Sequence, residues 1–199
     1  TAKIMSFAAV TGRAVRWGVM GTGTIAHDFV KVLQALPNCE VAAVGSRSDE
    51  GAARFGDAHN IAGRHGSYEA LARDESLDIV YVATPSMRHV DDSLLCLEAG
   101  RHVLCEKAMA PSLQEAKKVV DKAVAEDRFF LHGVWSRFFP AMSEIRKTLQ
   151  SGIIGDVYAA HASFGQNDGA GQASATLETG IYCAQFLQWA FDGDAPEAV

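Results

Sequence analysis

The sequence predicts an α/β protein in which a parallel sheet is covered by helices on both faces. Two observations indicate this class. Short apolar segments alternate with amphipathic segments from residue 14 to residue 134, and the apolar segments are rich in β-branched and small residues. Parallel strands need a crossover connection, which is usually a helix, so this alternation is typical of repeated strand–helix units.

The first unit joins a strand over residues 14–20 to a helix over residues 24–36, which Pro37 ends. Further strands are predicted at 39–48, 77–84, 102–107 and 129–134, and further helices at 49–60, 88–100 and 112–128. Two helix ends are well defined by sequence. Ser112 precedes Glu115 by the spacing of a capping box, and Gly100 stands where a left-handed C-terminal cap is needed.

After about Val134 the pattern changes. A helix is predicted over 136–152, a strand over 156–165, a loop over 166–175 and a helix over 176–191. Because a lone strand cannot form a sheet, residues 135–199 are predicted to begin a second, α+β open-sheet domain or to pack on another protein. Residues 1–13 precede the first strand as an N-terminal extension.

Length and composition exclude several classes of function. The chain has 199 residues, 48% of them apolar, which is enough to bury a full core. It carries 18 Lys and Arg against 24 Asp and Glu, a formal net charge of −6, with no dense basic cluster, so nucleic acid is not an expected partner. The longest wholly apolar runs, such as FAAV and VAAV, fall far short of the ~20 residues that cross a bilayer, which predicts a soluble chain.

The cysteines and the N-terminus bear on the compartment. Cys39, Cys96, Cys105 and Cys183 show no CxxC spacing, and no histidine pair stands at zinc-finger distance, so we expect reduced thiols and no metal site. The chain begins with Thr1 and lacks the features of a secretory signal. The expected location is the cytoplasm, or an organellar stroma or matrix if a transit peptide has been removed. An incomplete chain is the other interpretation.

A glycine-rich turn joins the first strand to the first helix. Gly21, Gly23 and Ala26 match the pattern G-x-G-x-x-G/A, which allows a tight turn, close approach of the main chain to a pyrophosphate, and close helix packing. The amides of the first helical turn, at Thr24 and Ile25, would then face the phosphates. An ordinary glycine-rich turn is the alternative. The strand–helix units that follow favour a doubly wound Rossmann sheet that binds a dinucleotide.

The end of the second strand bears on the choice of dinucleotide. An acidic residue here would select NAD, but the chain has Ser46, Arg47 and Ser48. A guanidinium flanked by two hydroxyls offers charge-assisted donors to a 2′-phosphate, which predicts NADP. The alternative is a solvated surface arginine.

Two further strand ends carry candidate site residues. In ATPSMRH, Thr84, Pro85 and His89 are candidate cofactor contacts, although a lone histidine at a helix start is more often a capping or packing residue. Glu106 and Lys107 end HVLCEK, where a lysine would point into the crevice in which parallel sheets bind ligands. A surface salt bridge is the alternative for this pair.

Five motifs in this order resemble the Gfo/Idh/MocA oxidoreductases: GVMGTGTIA, SRS, ATPSMRH, LEAGRHVLCEKAMA and WSRFFPAM. RFFPAM and ETGIYCAQF are most similar to the dimeric dihydrodiol dehydrogenase branch, which also includes sugar dehydrogenases. The resemblance covers roughly residues 14–199. It implies an N-terminal NADP-binding Rossmann domain and a C-terminal open sheet that supplies substrate contacts and often a dimer interface.

The resemblance also implies residue roles. Lys107 corresponds to the catalytic lysine, Tyr182 to the acid/base tyrosine, Glu178 to an expected aspartate, and Arg47 to the cofactor-selecting arginine. The implied reaction is hydride exchange between the nicotinamide and a diol or sugar carbon. Tyr182 would exchange the hydroxyl proton while Lys107 holds the tyrosine and the substrate oxygen.

The sequence departs from the family pattern at three places. Ala108 replaces the proline of the usual EKP, QASATLE replaces a glycine-containing segment that ends in aspartate, and a complete relative would continue well beyond Val199. Two alternatives therefore stand beside the enzyme. One is a catalytically inactive relative that serves as a structural or regulatory subunit of a larger assembly, and the other is a small NADP-sensing module.

Overall fold

The structure is a computed structural model that describes residues 12–165 and 174–193. The chain divides into two compact units, residues 1–132 and residues 133–199, which are described separately below.

The described part of the first unit contains one six-stranded sheet. Its strands are β1 (Val15–Met20), β2 (Cys39–Gly45), β3 (Gly63–His65), β4 (Ile79–Val82), β5 (His102–Glu106) and β6 (Phe130–Gly133). They lie in the order β3-β2-β1-β4-β5-β6, and β1 pairs in parallel with both β2 and β4. The strand order reverses between β1 and β4, which creates the crevice where open α/β sheets bind ligands. The predicted α/β doubly wound fold is confirmed.

Helices cover both faces of this sheet. They are α1 (Thr24–Ala35), α2 (Asp49–His59), α3 (Tyr68–Ala72), α4 (His89–Glu98) and α5 (Leu113–Ala125). One apolar cluster joins α1 and α2 to the sheet and contains Val19, while the other joins α3, α4 and α5 to the opposite face and contains Met20. Because successive strand residues point to opposite faces, β1 contributes to both clusters, which explains its continuous apolar sequence.

The structure agrees with the two helix ends that the sequence defines. The Glu115 amide donates to the Ser112 hydroxyl at 3.2 Å, and Gly100 has a φ of +79° directly after α4. The Gly100 amide donates to the Leu97 carbonyl at 2.9 Å, so both helix ends satisfy backbone groups that would otherwise be unpaired.

Several predicted bounds and elements need correction. The short strand β3 and helix α3 were not predicted, because three strand residues and five helical residues are too few to show a period. The second strand ends at Gly45 rather than at residue 48, since Ser48 caps α2 by accepting a hydrogen bond from the Gly51 amide at 3.1 Å.

The second unit is helical where it is described. A 3₁₀ turn (Trp135–Phe138) precedes α6 (Pro140–Gln150), and α7 (Ala175–Glu178) precedes α8 (Gly180–Ala190). The expected helix over 136–152 begins only at Pro140, because proline is well suited to the first helical position. The expected helix over 176–191 is interrupted at Thr179, which ends α7 and caps α8.

The predicted strand over 156–165 is wrong. These residues are described and form no strand, and Tyr158 is 90% exposed. Alternating character alone does not make a strand, since an isolated strand leaves its backbone groups without partners. The predicted loop over 166–175 lies mostly outside the described residues, and the same holds for most of the N-terminal extension.

Within the described ranges, no helix has the length and apolar character needed to pass through a bilayer. All four cysteines are free thiols. Cys96 and Cys105 lie in the core, and burial raises the pKa of the Cys105 thiol to about 12. A thiol with so high a pKa is largely unreactive, so these two cysteines serve as packing residues.

A histidine pair joins α1 to α2 and predicts a pH dependence of stability. His27 Nδ1 and His59 Nε2 are 2.6 Å apart, and burial, followed by the charges of His27 and Lys31, lowers the pKa of His59. The folded chain therefore binds this proton less readily than the unfolded chain. Stability is complete above the unfolded value of about 6.5 and falls as the pH drops below it.

The His59→Gln variant checks this dependence by thermal unfolding at pH 7.5 and pH 5.5, pH values chosen to lie about one unit on either side of 6.5. We expect a smaller loss of Tm on acidification than in the wild type. Burial also lowers the pKa of His102, so some acid sensitivity remains. An unchanged difference in Tm between the two pH values would rule out a contribution from His59.

Candidate dinucleotide-binding site

The turn after β1 requires glycine at its first position. Gly21 has a φ of +104°, and a Cβ atom there would lie 2.6 Å from the carbonyl oxygen of Ala83. The Gly21 amide donates to the Gly45 carbonyl at 3.0 Å, and the Ala83 amide donates to the Met20 carbonyl at 2.8 Å. The turn is therefore packed between the ends of β2 and β4, where no other residue fits without displacing backbone.

Gly23 has the opposite environment. It is the N-terminal cap of α1, it is exposed, and a Cβ atom there would meet nothing within 4 Å. The next two amides, of Thr24 and Ile25, have no acceptor within the helix, as is general for a first turn. Such amides attract an anion through the positive end of the helix dipole. The open space in front of Gly23 suits a pyrophosphate.

Thr84 gives independent support for a polar ligand at this edge. Its hydroxyl oxygen is buried and has no hydrogen-bond partner among the described residues. The Thr84 amide nitrogen would lie 3.2 Å from a Cβ atom at Gly21, so the threonine adjoins the glycine turn. An unsatisfied buried hydroxyl costs about 1–3 kcal/mol, which a polar group of a ligand would offset. The residues present thus fit a bound dinucleotide.

The loop after β2 places Arg47 differently from its two serine neighbours. Arg47 is exposed, whereas Ser46 is buried against Gly51 and the Ser48 hydroxyl caps α2. The roles of the two serine hydroxyls as phosphate ligands stay predictions, and the Ser48 oxygen that accepts from Gly51 keeps a hydrogen that it can donate. Ser46 shapes the loop as a buried residue, whereas Arg47 and Ser48 are both exposed to solvent.

His89 is a packing residue in this structure rather than an open cofactor contact. It is 1% exposed. Its Nδ1 lies 2.7 Å from the carbonyl oxygen of Ala108, and its Nε2 lies 2.8 Å from that of Thr84. Both ring nitrogens are thus occupied by backbone groups, which corrects the expected contact with cofactor or substrate. His89 instead ties the chain after Lys107 to the chain after β4, where Pro85 begins a 3₁₀ turn.

Glu106 is the last residue of β5, and Lys107 follows it at the same edge of the sheet. The Tyr81 hydroxyl donates to Glu106 Oε1 at 2.6 Å, and the Lys107 amide donates to Glu106 Oε2 at 3.1 Å. Burial and the Glu106 charge raise the pKa of Tyr81, so its hydroxyl keeps the proton that it donates. Glu106 is therefore held in place by a buried phenol, and this in turn fixes the backbone at Lys107.

Tyr81 and His132 are site-supporting residues that the sequence reasoning missed. The Met109 amide donates to His132 Nε2 at 3.2 Å, which gives the segment after Lys107 a second anchor beside His89. The sequence signal that could have indicated them is a single polar side chain in an otherwise apolar strand: the tyrosine in IVYV and the histidine in FLHG. Neither strand alone indicates which loop the polar atom supports.

Tyr182 and Glu178 lie in the second unit, on α8 and α7 respectively. The Trp135 indole nitrogen donates to the Tyr182 hydroxyl oxygen at 2.6 Å, and the rings of Phe164 and Tyr182 are 5.4 Å apart. Ser136, next to Trp135, donates to Gln185 Oε1 at 3.1 Å. These contacts orient the phenol, and Trp135 is another residue that sequence reasoning missed.

Twelve of the predicted site residues lie at the carboxyl ends of β1, β2, β4 and β5 or in the segments that follow them: Gly21, Gly23, Thr24, Ile25, Ser46, Arg47, Ser48, Thr84, Pro85, His89, Glu106 and Lys107. This placement defines the first unit as a Rossmann-type α/β domain. Residues 15–133 match the Gfo/Idh/MocA family, described as an oxidoreductase family with an NAD-binding Rossmann fold, so the chain belongs to that family.

Curated relatives agree with the resemblance. The trans-1,2-dihydrobenzene-1,2-diol dehydrogenase of Mus musculus is 41% identical over 196 residues, which cover 94% of this chain and 59% of that protein. The Homo sapiens protein of the same name is 39% identical with the same coverage. The chain thus spans 59% of the length of these relatives.

A solved structure of the 3-ketoreductase KijD10 from Actinomadura kijaniata in complex with NADP is also similar. It superimposes with a TM-score of 0.67 at 28% identity, covering 72% of this chain and 46% of the ketoreductase. An NAD-binding protein from Listeria innocua has a TM-score of 0.72 at 23% identity, covering 85% of this chain and 52% of that protein, and shows the fold alone.

Proposed function

We propose that this chain binds NADP and belongs to an oxidoreductase that transfers a hydride between the nicotinamide and a diol or sugar carbon. The observation that carries the proposal is the glycine turn: Gly21 is packed against Ala83, while Gly23 faces open space beside the first amides of α1. The similarity to trans-1,2-dihydrobenzene-1,2-diol dehydrogenases supports the substrate class. The NADP complex of the similar ketoreductase supports the cofactor.

The chain's own residues account for cofactor binding as follows. The Thr24 and Ile25 amides bind the pyrophosphate, and the Thr84 hydroxyl donates to a polar group of the bound dinucleotide. Arg47 pairs with the 2′-phosphate, which NAD lacks. When bound, NADP supplies the nicotinamide carbon that accepts or donates the hydride.

The catalytic roles combine the resemblance with the contacts inside each unit. Lys107 stabilises negative charge on the substrate oxygen, on a backbone that Glu106 holds. Tyr182 exchanges the hydroxyl proton. Because Trp135 donates to the phenol oxygen, the phenol is held in a defined orientation within the second unit. Glu178 is assigned to a substrate hydroxyl.

A catalytically inactive subunit is the second candidate, and the observation that favours it is Ala108 in place of the expected proline. The contact between His89 Nδ1 and the Ala108 carbonyl favours the enzyme, because it holds this backbone without a proline. Steady-state assays with NADP against a panel of trans-diols, polyols and aldoses distinguish the two. Turnover of at least one substrate supports the enzyme, and tight NADPH binding without turnover supports the inactive subunit or a sensing module.

The Arg47→Leu variant tests the cofactor preference. We expect the wild type to bind NADPH more tightly than NADH, and the variant to lose about tenfold or more in NADPH affinity, the value of one charge-assisted contact. The NADH affinity of the variant should stay within about twofold of the wild-type value. Fluorescence titration of both nucleotides gives the two constants, and NADH binding as tight as that of NADPH in the wild type would reject the preference.

A further inference from the structure

Arg88 is an anchored guanidinium at the binding edge of the sheet that the function above does not use. It ends the 3₁₀ turn Ser86–Arg88, which follows β4. Its Nε and Nη2 atoms donate to the two oxygens of Asp92 at 3.2 Å and 2.7 Å. The Asp92 side chain is 1% exposed, whereas the Arg88 side chain is 48% exposed. One edge of the guanidinium is thus fixed by a buried carboxylate, and Arg88 retains further N–H donors at Nη1 and Nη2.

The ring of Tyr68 supports this guanidinium from one side. The Arg88 Cζ atom lies 5.5 Å from the centroid of the Tyr68 ring, which is close enough for a cation–π contact. Tyr68 begins α3 and is 7% exposed, so the ring itself is held by the core. The arginine is therefore positioned in advance by two buried groups.

Arg47 follows β2, and the helix α3 that carries Tyr68 packs against the last residue of that strand: a Cβ atom at Gly45 would lie 2.8 Å from the Cβ atom of Leu71. Burial and the charge of Asp92 raise the pKa of the Tyr68 hydroxyl, while the charges of Arg47 and Arg88 both lower it. The charges of both arginines thus act on the same phenol. Asp91 is exposed, and the hydrogen bond to Asp92, together with the charge of Asp91, raises the pKa of Arg88.

We propose that Arg88 is a second specificity-determining contact for the ribose 2′-phosphate, acting together with Arg47. The inference rests on the proposed function, because it needs a dinucleotide in the crevice between β1 and β4. A phosphomonoester carries nearly two negative charges and can accept hydrogen bonds from two guanidiniums at once. The 2′-hydroxyl of NAD is uncharged and lacks the three phosphate oxygens. Arg88 would therefore raise the affinity for NADP without raising that for NAD.

The alternative is that Arg88 only neutralises Asp92 at the start of α4. Removal of the arginine would then leave a buried charge, destabilise the fold and weaken both nucleotides alike. The Arg88→Lys variant separates the two roles, because lysine keeps a positive charge for Asp92 but loses the planar fork. Arg16→Lys is the matched control. Arg16 also bonds a carboxylate, that of Glu40 at 2.7 Å, but it lies at the opposite, amino-terminal end of the sheet.

Both variants are titrated with NADPH and with NADH, and their thermal unfolding is recorded. We expect Arg88→Lys to weaken NADPH binding by about tenfold and to change NADH binding by less than about twofold, while Arg16→Lys changes neither. The NADPH affinity of Arg88→Lys should also fall less steeply with added salt than that of the wild type, because one phosphate contact is lost.

Three outcomes overturn the inference. Equal losses for the two nucleotides, or no loss for either, assign Arg88 to the fold alone. If Arg47→Leu loses the preference for NADPH but Arg88→Lys keeps it, Arg88 does not contact the 2′-phosphate, and the proposed function stands. A wild-type protein that binds neither nucleotide overturns the proposed function and the inference together.

Discussion

The Lys107→Met variant is expected to lose turnover by about 10²–10⁴-fold while it retains NADPH binding. Methionine keeps most of the aliphatic stem of lysine but removes the ammonium group. The backbone at this position is held by the contact of the Lys107 amide with Glu106 and by the contact of His89 with Ala108, neither of which involves the lysine side chain's charge. The loss should therefore appear in kcat, with NADPH affinity within about twofold of the wild type.

Lys117→Met provides the control for the lost charge. Lys117 lies on α5, its side chain is 70% exposed, and it pairs with Asp121 at 3.1 Å. We expect this variant to match the wild type in both measurements, since exposed ion pairs contribute little. Turnover by Lys107→Met at the wild-type rate would remove the lysine from the mechanism. Equal losses of turnover and of NADPH binding would make it a cofactor ligand instead.

Alanine substitutions at the two glycines of the turn are expected to have different effects, one on stability and the other on NADPH binding. Gly21→Ala forces a Cβ atom to 2.6 Å from the Ala83 carbonyl at a φ of +104°, so we expect it to lower the free energy of unfolding by about 2–5 kcal/mol. Gly23→Ala meets nothing within 4 Å and should cost less than about 1 kcal/mol. It should nevertheless weaken NADPH binding by about tenfold or more, because the methyl group occupies the space assigned to the pyrophosphate.

Gly155→Ala isolates the cost of the backbone angle. Gly155 has a φ of +73° and open space around its Cβ position, so the variant should lose only about 1 kcal/mol. Chemical denaturation gives the three stabilities, and calorimetric titration gives the NADPH affinities. Wild-type NADPH affinity in a folded Gly23→Ala protein would mean that the phosphates do not approach this glycine.

Most of the sheet was predicted correctly because apolar strands and amphipathic helices can each be recognised from the local pattern of apolar residues. β1, β2, β4 and β5 are all largely apolar, and turn residues such as Pro37 and Gly100 precede β2 and β5, so these strands could be predicted from the local sequence. β3 could not, because Gly63–His65 has three residues and owes its strand character to pairing with β2. The strand expected over 156–165 failed for the complementary reason: it has the alternation but no neighbour among the described strands.

The candidate site was predictable where function depends on backbone shape and less so where it depends on tertiary contacts. A glycine pattern reports a turn directly, so Gly21 and Gly23 were found. By contrast, His89 looks like a ligand in ATPSMRH, and only the folded chain shows that its two nitrogens meet the carbonyls of Thr84 and Ala108. Arg88 was overlooked because neither Asp92 nor Tyr68 can be recognised as its support before the helices are packed.

Hydrogen–deuterium exchange with and without NADPH tests most directly whether a dinucleotide diphosphate lies against the amides after Met20. We expect slower exchange on NADPH addition in the peptide that contains Gly23, Thr24 and Ile25, and a weaker effect with the same concentration of NADH. Unchanged exchange in this peptide at NADPH concentrations that saturate the protein would contradict it.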